Sequence, residues 1–205
     1  QLITGLKIPR SPIVMIHSSL LKFGIIEGGV EGLFKCIIDT LPGEPTIVMP
    51  TFSFSFSKSR HWSANSTKSE MGALTEYFRK LKGVVRTTHP FHSVAAYGKN
   101  VEYFSKCDSL SSFGNGSPFE KLLELNAYNL SLGTEFIGGG TFCHHTEEVC
   151  KVPYRFYKEF PGSVYNENNN FVNKIYKMYV RIIEDDYEYI NNWDKVFTDL
   201  SNNNC

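Results

Sequence analysis

The densest cluster of reactive side chains in this 205-residue chain is Cys143-His144-His145-Thr146-Glu147-Glu148, with Cys150 just beyond. Two chemistries suit these residue types. Cysteine, histidine and glutamate are ligands that zinc accepts. On a helix, however, Cys143 and Cys150 stand two turns apart, about 10 Å, too far for one ion. Neither a CxxC nor an HExxH pattern is present, so no metal is expected. The other chemistry is acid–base. A helix places His144 beside Glu147 at i+3 and Glu148 at i+4, so a carboxylate can hold one imidazole nitrogen. That fixes the tautomer and makes the other nitrogen more basic, as a general base near neutral pH requires. On local grounds alone the same residues serve equally well as a surface His–Glu pair worth roughly 0.3 kcal/mol. Adjacent helical residues point about 100° apart, so Cys143 reads as packing.

Two further polar knots stand out. In His89-Pro90-Phe91-His92-Ser93 the proline restricts the backbone of His89, and a strand is expected to follow. These residues read either as site groups held at a strand entrance or as ordinary turn residues. His17-Ser18-Ser19-Leu20 ends an apolar run, at the place where ligands of open α/β sheets usually bind. Its hydroxyls and free N–H groups suit a phosphate or pantetheine amide, while Ser18 or Ser19 could equally cap a helix. No GxSxG elbow, P-loop or GxGxxG occurs, which removes the usual anchors of hydrolase, NTPase and dinucleotide readings.

The elements that must position these groups follow from periodicity. Ile13–Ile16 and Thr46–Met49 read as buried strands. Between them Val30, Leu33, Phe34, Ile37, Ile38 and Leu41 recur at helical spacing and stop at Pro42-Gly43. Strand, helix, strand over about 35 residues is a crossover unit of a parallel sheet. Residues 52–68 alternate serine with aromatics and read as a surface loop. Leu74 to Leu81 suggests a helix ending at Gly83, and Val84 to Tyr97 an extended segment interrupted by Pro90. Ser117-Pro118 opens a short helix over 117–125. Leu130–Leu132 reads as a strand. Gly138-Gly139-Gly140 then forms a flexible corner into a helix from about Phe142. Val164 to Ile183 is aromatic and β-prone around Asn168–Asn170, and the aromatics from Tyr154 to Tyr179 read as core for the most part, with a substrate wall or a dimer face as the alternatives. A last helix covers Tyr187 to Leu200.

Composition bounds the class. Twenty-one Lys and Arg balance 21 Asp and Glu, which argues against a nucleic-acid clamp or a membrane-surface binder. With 41% hydrophobic and 14% aromatic residues the chain can build a sizeable core, which excludes wholesale disorder. No run of 18 apolar residues occurs, so no spanning helix is expected, and the first residues carry no leader pattern. The chain starts at Gln1, which reads as a trimmed or incomplete N-terminus. Five scattered cysteines fit a reduced cytoplasmic domain better than a disulfide scaffold. The expected architecture is a single α/β domain over 1–205. It has a mixed, partly parallel central sheet flanked by helices, a β-rich C-terminal section and a final helix.

Taken in order, these segments resemble the aminoglycoside 3-N-acetyltransferase family. The resemblance is carried by His17-Ser18-Ser19-Leu20 with Gly24, Val48-Met49-Pro50-Thr51-Phe52, Met71-Gly72-Ala73-Leu74, and Val85-Arg86 with His89-Pro90-Phe91-His92-Ser93. It continues through Phe113-Gly114-Asn115-Gly116-Ser117-Pro118 with Leu122-Leu123, and Thr141-Phe142-Cys143-His144-His145-Thr146-Glu147. Val152-Pro153-Tyr154-Arg155 and Glu184-Asp185-Asp186-Tyr187 close the series. Each is weak alone; the ordered set spans nearly the whole chain.

The resemblance implies transfer of an acetyl group from acetyl-CoA to a primary amine on a sugar-like acceptor, with antibiotic resistance as one setting. By motif match His144 is the general base, Glu147 orients it, and Asp186 helps hold the base or the acceptor. His17, Ser18, Ser19 and Leu20, with His92 and Ser93, would line the coenzyme channel. His89, Glu148 and Asp185 would face the acceptor. The expected partners are acetyl-CoA and a small amine, with no nucleic acid or membrane, and a homodimer is an admissible assembly. The pattern departs at Leu21-Lys22, where the family often carries Arg. Glu70 is the only carboxylate from Thr51 to Gly72, whereas a polycationic acceptor calls for a strongly negative field. A singly aminated sugar, as in surface-polysaccharide assembly, therefore stands beside the aminoglycoside as acceptor, and a non-catalytic CoA-binding relic stands as the reading from another class.

Overall fold

The computed structural model describes residues 7–135, 140–166, 168–183 and 190–202. Its centre is a five-stranded sheet built from β1 (Ile13–Ser18), β2 (Thr46–Pro50), β4 (Val85–Arg86), β5 (Val94–Gly98) and β6 (Tyr128–Leu132), in the order β4-β5-β2-β1-β6. β1 lies between β2 and β6 and is parallel to both, with Ile13 opposite Thr46 and His17 opposite Ser131. The parallel β1–β2 pair is what the intervening helix α1 (Gly29–Thr40) requires, because a parallel pair needs a crossover. β5 runs antiparallel to both β2 and β4. The sheet is therefore mixed.

β1 is buried on both faces. Ile13 and Met15 join one core cluster, with Val48, Phe104, Phe113 and Phe119, while Val14 and Ile16 join the other, with Ile37, Ile47, Leu74 and Phe78. Double burial explains why the strand reads as a continuous apolar run rather than an alternation. α3 (Ala73–Phe78) packs beside α1, with Phe34 and Phe78 rings 5.3 Å apart. α4 (Glu102–Ser105) and α5 (Pro118–Glu124) complete the opposite side. α5 starts as expected: Pro118 occupies the first turn, and the Ser117 hydroxyl accepts the Glu120 N–H at 3.2 Å.

A second sheet holds β3 (His61–Ser63), β7 (Arg155–Tyr165) and β8 (Phe171–Arg181) in the order β3-β7-β8. β7 and β8 form a long antiparallel hairpin with Tyr165 opposite Phe171. In its turn the Asn166 side chain accepts the Asn168 and Asn170 N–H groups at 3.0 and 2.9 Å, the local bonding that makes asparagine a turn former. The hairpin begins nine residues earlier than its periodicity predicts. Its aromatics are divided: Phe160, Tyr176 and Tyr179 are buried, while Phe156, Tyr157, Tyr165 and Phe171 are exposed. Burial does not follow the alternation of strand faces: Phe156 and Phe160 share a face of β7, yet only Phe160 is buried, against Phe56, Phe91 and Tyr176, so the expectation of a mostly core role holds only where the hairpin is covered.

Residues 52–68 depart most from the sequence reading. They contain α2 (Phe56–Ser59) and β3, and Phe52, Phe56, Trp62 and Ala64 are all buried. Phe56, Trp62 and Ala64 form the core against the second sheet, with Phe91, Phe160, Val164 and Tyr176. Gly162 permits this closeness, since a Cβ there would stand 2.3 Å from Phe56 Cζ. Serine between aromatics suggests a surface, and Ser55, Ser57, Ser59 and Ser66 are indeed exposed, but Phe52, Phe56 and Trp62 turn inward and Ser53 is buried with them. Arg86 enters this segment and donates from Nη2 to the Thr51 carbonyl (2.7 Å) and Ser53 Oγ (3.2 Å), and from Nη1 to the Thr67 carbonyl (2.5 Å). Its guanidinium lies 4.8 Å over the Trp62 ring. A buried cation with its donors satisfied organises the loop around itself.

The remaining helices are α6 (Cys143–Val149), entered through a 3-10 turn at Gly140–Phe142, and α7 (Trp193–Asn202). Among the described residues no helix is long and apolar enough to cross a membrane.

Candidate active site

α6 is short, and its sequence sorts its side chains by angle. His145 and Glu148 are buried at 4% exposure each. His144 and Glu147, one position earlier in each case, emerge on the neighbouring face. A step of about 100° per residue thus separates two i,i+3 pairs. In the outer pair, His144 Nδ1 lies 2.5 Å from Glu147 Oε2. A carboxylate only accepts, so the proton sits on Nδ1 and the lone pair is left on Nε2. The His144 side chain is 41% exposed, and Nε2 has no protein partner among the described residues.

Glu147 is itself held. Arg155 Nη2, at the start of β7, lies 3.0 Å from Oε2, and the Tyr154 hydroxyl donates to Oε1 at 3.0 Å. Burial acts to raise the Glu147 pKa, but His144, Arg155 and Tyr154 outweigh it and hold the group below its ordinary value. It therefore stays a carboxylate near neutral pH. The His144 ring leans edge-on against Phe113, centroids 5.2 Å apart, and Phe113 in turn lies 4.5 Å from the His92 ring.

The inner pair docks the helix. His145 Nδ1 reaches the Phe113 carbonyl at 2.6 Å, and Glu148 Oε1 accepts from Ser111 Oγ (2.5 Å) and Tyr157 OH (3.2 Å). Gly114 has no side chain where a Cβ would stand 2.4 Å from Glu148 Oε1. Glu148 Oε1 is thus taken by Ser111 and Tyr157, while its buried Oε2 has no partner among the described residues.

The other expected site residues are placed as follows. His17, at the end of β1, is buried and lines a cavity of about 1330 Å³. Ser18 closes the strand, and Ser19 donates its N–H to the Leu132 carbonyl at 2.9 Å. Leu20 opens a 3-10 turn over Leu20–Phe23, and neither serine caps it through a side-chain bond. His92 is 5% exposed and its Nδ1 meets Ser112 Oγ at 2.8 Å. Ser93 is wholly buried, its hydroxyl 2.8 Å from the Thr51 carbonyl and 3.2 Å from Arg86 Nε. His89 is buried, with Nδ1 accepting the N–H groups of Phe91 and His92. These three groups are committed inside the protein and do not line the cavity. Local turn chemistry accounts for His89 Nδ1, while its buried Nε2 has no hydrogen-bond partner among the described residues. Asp185 and Asp186 lie outside the described residues.

Burial lowers the pKa of His17 to about 4. Burial, only partly opposed by the Leu110 backbone, lowers that of His89 to about 3. That of His92 falls well below its ordinary value, through burial first and then the nearby His89 and His144. All three are neutral imidazoles near pH 7.

The cavity borders the pair through Glu147 and Tyr154 rather than through His144, and Cys143, Tyr128 and Trp193 also line it. Burial first, then Glu147, raises the Cys143 thiol, which disfavours a thiolate nucleophile. Among the described residues no group of three or more His, Cys, Asp or Glu side chains is arranged to hold a metal ion. Sequence reasoning named Phe113, Tyr154 and Arg155 as carriers of the resemblance without giving them a role, and missed Ser111, Ser112 and Tyr157 as supporting residues. Their signal is tertiary: none lies within helical reach of His144.

The sequence and the fold are matched by known proteins. The aminoglycoside 3-N-acetyltransferase family model covers residues 15–203. The chain belongs to that family. The Bacillus subtilis SPbeta prophage-derived aminoglycoside N(3')-acetyltransferase-like protein YokD is 30% identical over 174 residues, 74% of this chain and 62% of that protein. Aminoglycoside N(3)-acetyltransferase IV from Salmonella is 28% identical over 142 residues, 69% of this chain and 54% of the relative. The chain therefore spans less than two thirds of the length of these relatives. Among solved structures, Bacillus subtilis YokD superposes with a TM-score of 0.72 at 28% identity, covering 87% of this chain and 78% of that one. The aminoglycoside acetyltransferase AAC(3)-Xa gives 0.80 at 18% identity, with 98% and 81% covered. AAC-IIIb, solved as a binary complex with CoASH, gives 0.78 at 19%, with 98% and 82% covered. These last two likenesses are of fold.

Proposed function

We propose that the chain is an acetyl-CoA-dependent N-acetyltransferase acting on a primary amine of an aminoglycoside or amino sugar, with His144 as general base. The observation that carries the reading is the 2.5 Å contact between His144 Nδ1 and Glu147 Oε2, which directs the imidazole lone pair at Nε2 outward. An ammonium is no nucleophile, so a base in reach is required. Nε2 takes the proton as the amine attacks the thioester carbonyl; the N–C bond forms, the C–S bond breaks, and the proton passes to the departing sulfur. Glu147 stabilises the transient imidazolium and fixes its ring. Family membership and the CoASH complex of the structural relative AAC-IIIb support the acyl donor. On this chain the donor side rests on His17, which lines the cavity, and on the adjoining turn Ser18–Leu20.

A specific feature favours an amino sugar over a polycationic drug as acceptor. Among the described lining residues the carboxylates are Glu147 and Asp199, and each stands beside a cation: Arg155 at 3.0 Å and Lys195 at 3.2 Å. Asn126, Asn129, Asn191 and Asn192 line the same space, and amides suit neutral hydroxyls.

The test is thiol release from acetyl-CoA with the parent chain and His144→Ala, across aminoglycosides and simple amino sugars. Release that requires both acceptor and His144 is expected. Undiminished release by His144→Ala would remove the base assignment, and absence of both release and CoA binding would favour a relic.

A further inference from the structure

Arg155 stands where it can act on the base without touching substrate. Its Nη2 lies 3.0 Å from Glu147 Oε2 and 3.3 Å from His144 Nδ1, while Nη1 donates to the Tyr179 carbonyl at 2.9 Å. The guanidinium is thus anchored on the β7–β8 hairpin and pointed into the His–Glu contact. Its side chain is 10% exposed, so solvent screens it poorly. We propose that Arg155 is a positioning residue of the acyl transfer, sharing the Glu147 carboxylate so that the His144 ring is both oriented and kept free to accept a proton. The proposal rests on the acyltransferase reading above.

The physical reason is a balance of charge. A histidine 2.5 Å from an otherwise unopposed carboxylate becomes a stable imidazolium–carboxylate ion pair, and a protonated ring is no base. A fixed cation at 3.3 Å opposes that protonation and leaves the hydrogen bond in place. The described groups facing His144 can be named from each element. From α6 come Glu147 and the Cys143 thiol, with His145 turned away onto the Phe113 carbonyl. From the β5 entrance His92 acts through space. From the β7 start come Arg155 and, through Glu147, Tyr154. His92 and the Cys143 thiol are neutral near pH 7, so Arg155 is the cation that sets the balance among these groups.

The experiment compares the parent chain with Arg155→Met, which keeps length and loses charge, and Arg155→Lys, which keeps charge and loses the planar fork. Two readouts are taken: kcat/KM for thiol release against pH, and the His144 ring signals followed by NMR through a pH titration. For Arg155→Met the acid limb and the midpoint of the ring signals both move up by about one pH unit, while Arg155→Lys restores most of that displacement. A structural role alone would lower the rate evenly at all pH values. If the Arg155→Met midpoint and acid limb stay at the parent's positions, the proposal is overturned. If the ring midpoint moves while no chain releases thiol or binds CoA, Arg155 still governs the His144 ring and it is the acyltransferase reading that fails.

Discussion

Glu147 and Glu148 are consecutive residues whose carboxylates leave α6 on different sides: Glu147 Oε2 lies 2.5 Å from His144 Nδ1, and Glu148 Oε1 lies 2.5 Å from Ser111 Oγ. One acid is given to the base and the other to the attachment of the helix that carries the base. Both contacts converge on the same short segment, since Ser111 is bonded by Glu148 and Phe113 both accepts from His145 and packs against the His144 ring.

Glu147→Gln tests the first contact. The amide keeps the size of the side chain and its bond to Nδ1–H, but cannot stabilise an imidazolium. Thiol release is expected to fall roughly 100-fold or more, with little change in KM for acetyl-CoA. A variant within a few-fold of the parent would remove Glu147 from the mechanism.

Ser111→Ala tests the second. It withdraws a donor from a buried carboxylate and leaves Oε1 with Tyr157 alone. A loss of about 2 kcal/mol of folding stability is expected, read as a lower urea midpoint, with turnover per folded molecule close to the parent. An unchanged midpoint would mean that this contact does not anchor α6.

The His144–Glu147 pair was legible in the sequence because both partners sit on one helix, where spacing alone fixes their separation. β1, α1 and β2 were legible for the same reason, each with a local period. What could not be read depends on chain-distant neighbours. Glu148 offers His144 an i+4 partner as acceptable as Glu147 at i+3, and the choice is made by Ser111 and Tyr157. Ser93 resembles a free hydroxyl until Arg86 and Thr51 claim it. The serines of 52–68 argue for a surface, where most of them lie, and nothing local shows that Ser53 and Trp62 are drawn inward onto a guanidinium.

Arg86→Met follows from that last arrangement. The substitution fills much of the same space but strips hydrogen bonds from the Thr51 and Thr67 carbonyls and from Ser53 and Ser93. Leaving several buried acceptors unpaired is expected to cost about 3 kcal/mol or more. Because 52–68 closes over Phe91 and Phe160, limited proteolysis should cut first within that segment. Resistance equal to the parent would show that apolar packing holds the segment without Arg86.

The buried histidines set the response of stability to acid. His17 and His89 have folded pKa values near 4 and 3, and His92 also lies well below 6.5, burial being the leading cause in each. All three values are depressed, so between pH 6.5 and about 4 the unfolded chain binds protons that the folded chain refuses. Stability is then complete above pH 6.5 and declines as pH falls, by about 1.4 kcal/mol per pH unit for each fully differing group. Glu76, held near 2, keeps its charge throughout this window and contributes a loss only below its ordinary value of 4.5. Urea midpoints measured from pH 7.5 to 5 should therefore fall steadily from near 6.5, and less steeply in His17→Asn. A midpoint independent of pH across that range would contradict the burial of these rings as neutral imidazoles, and with it the seat of His92 behind Phe113 and the base.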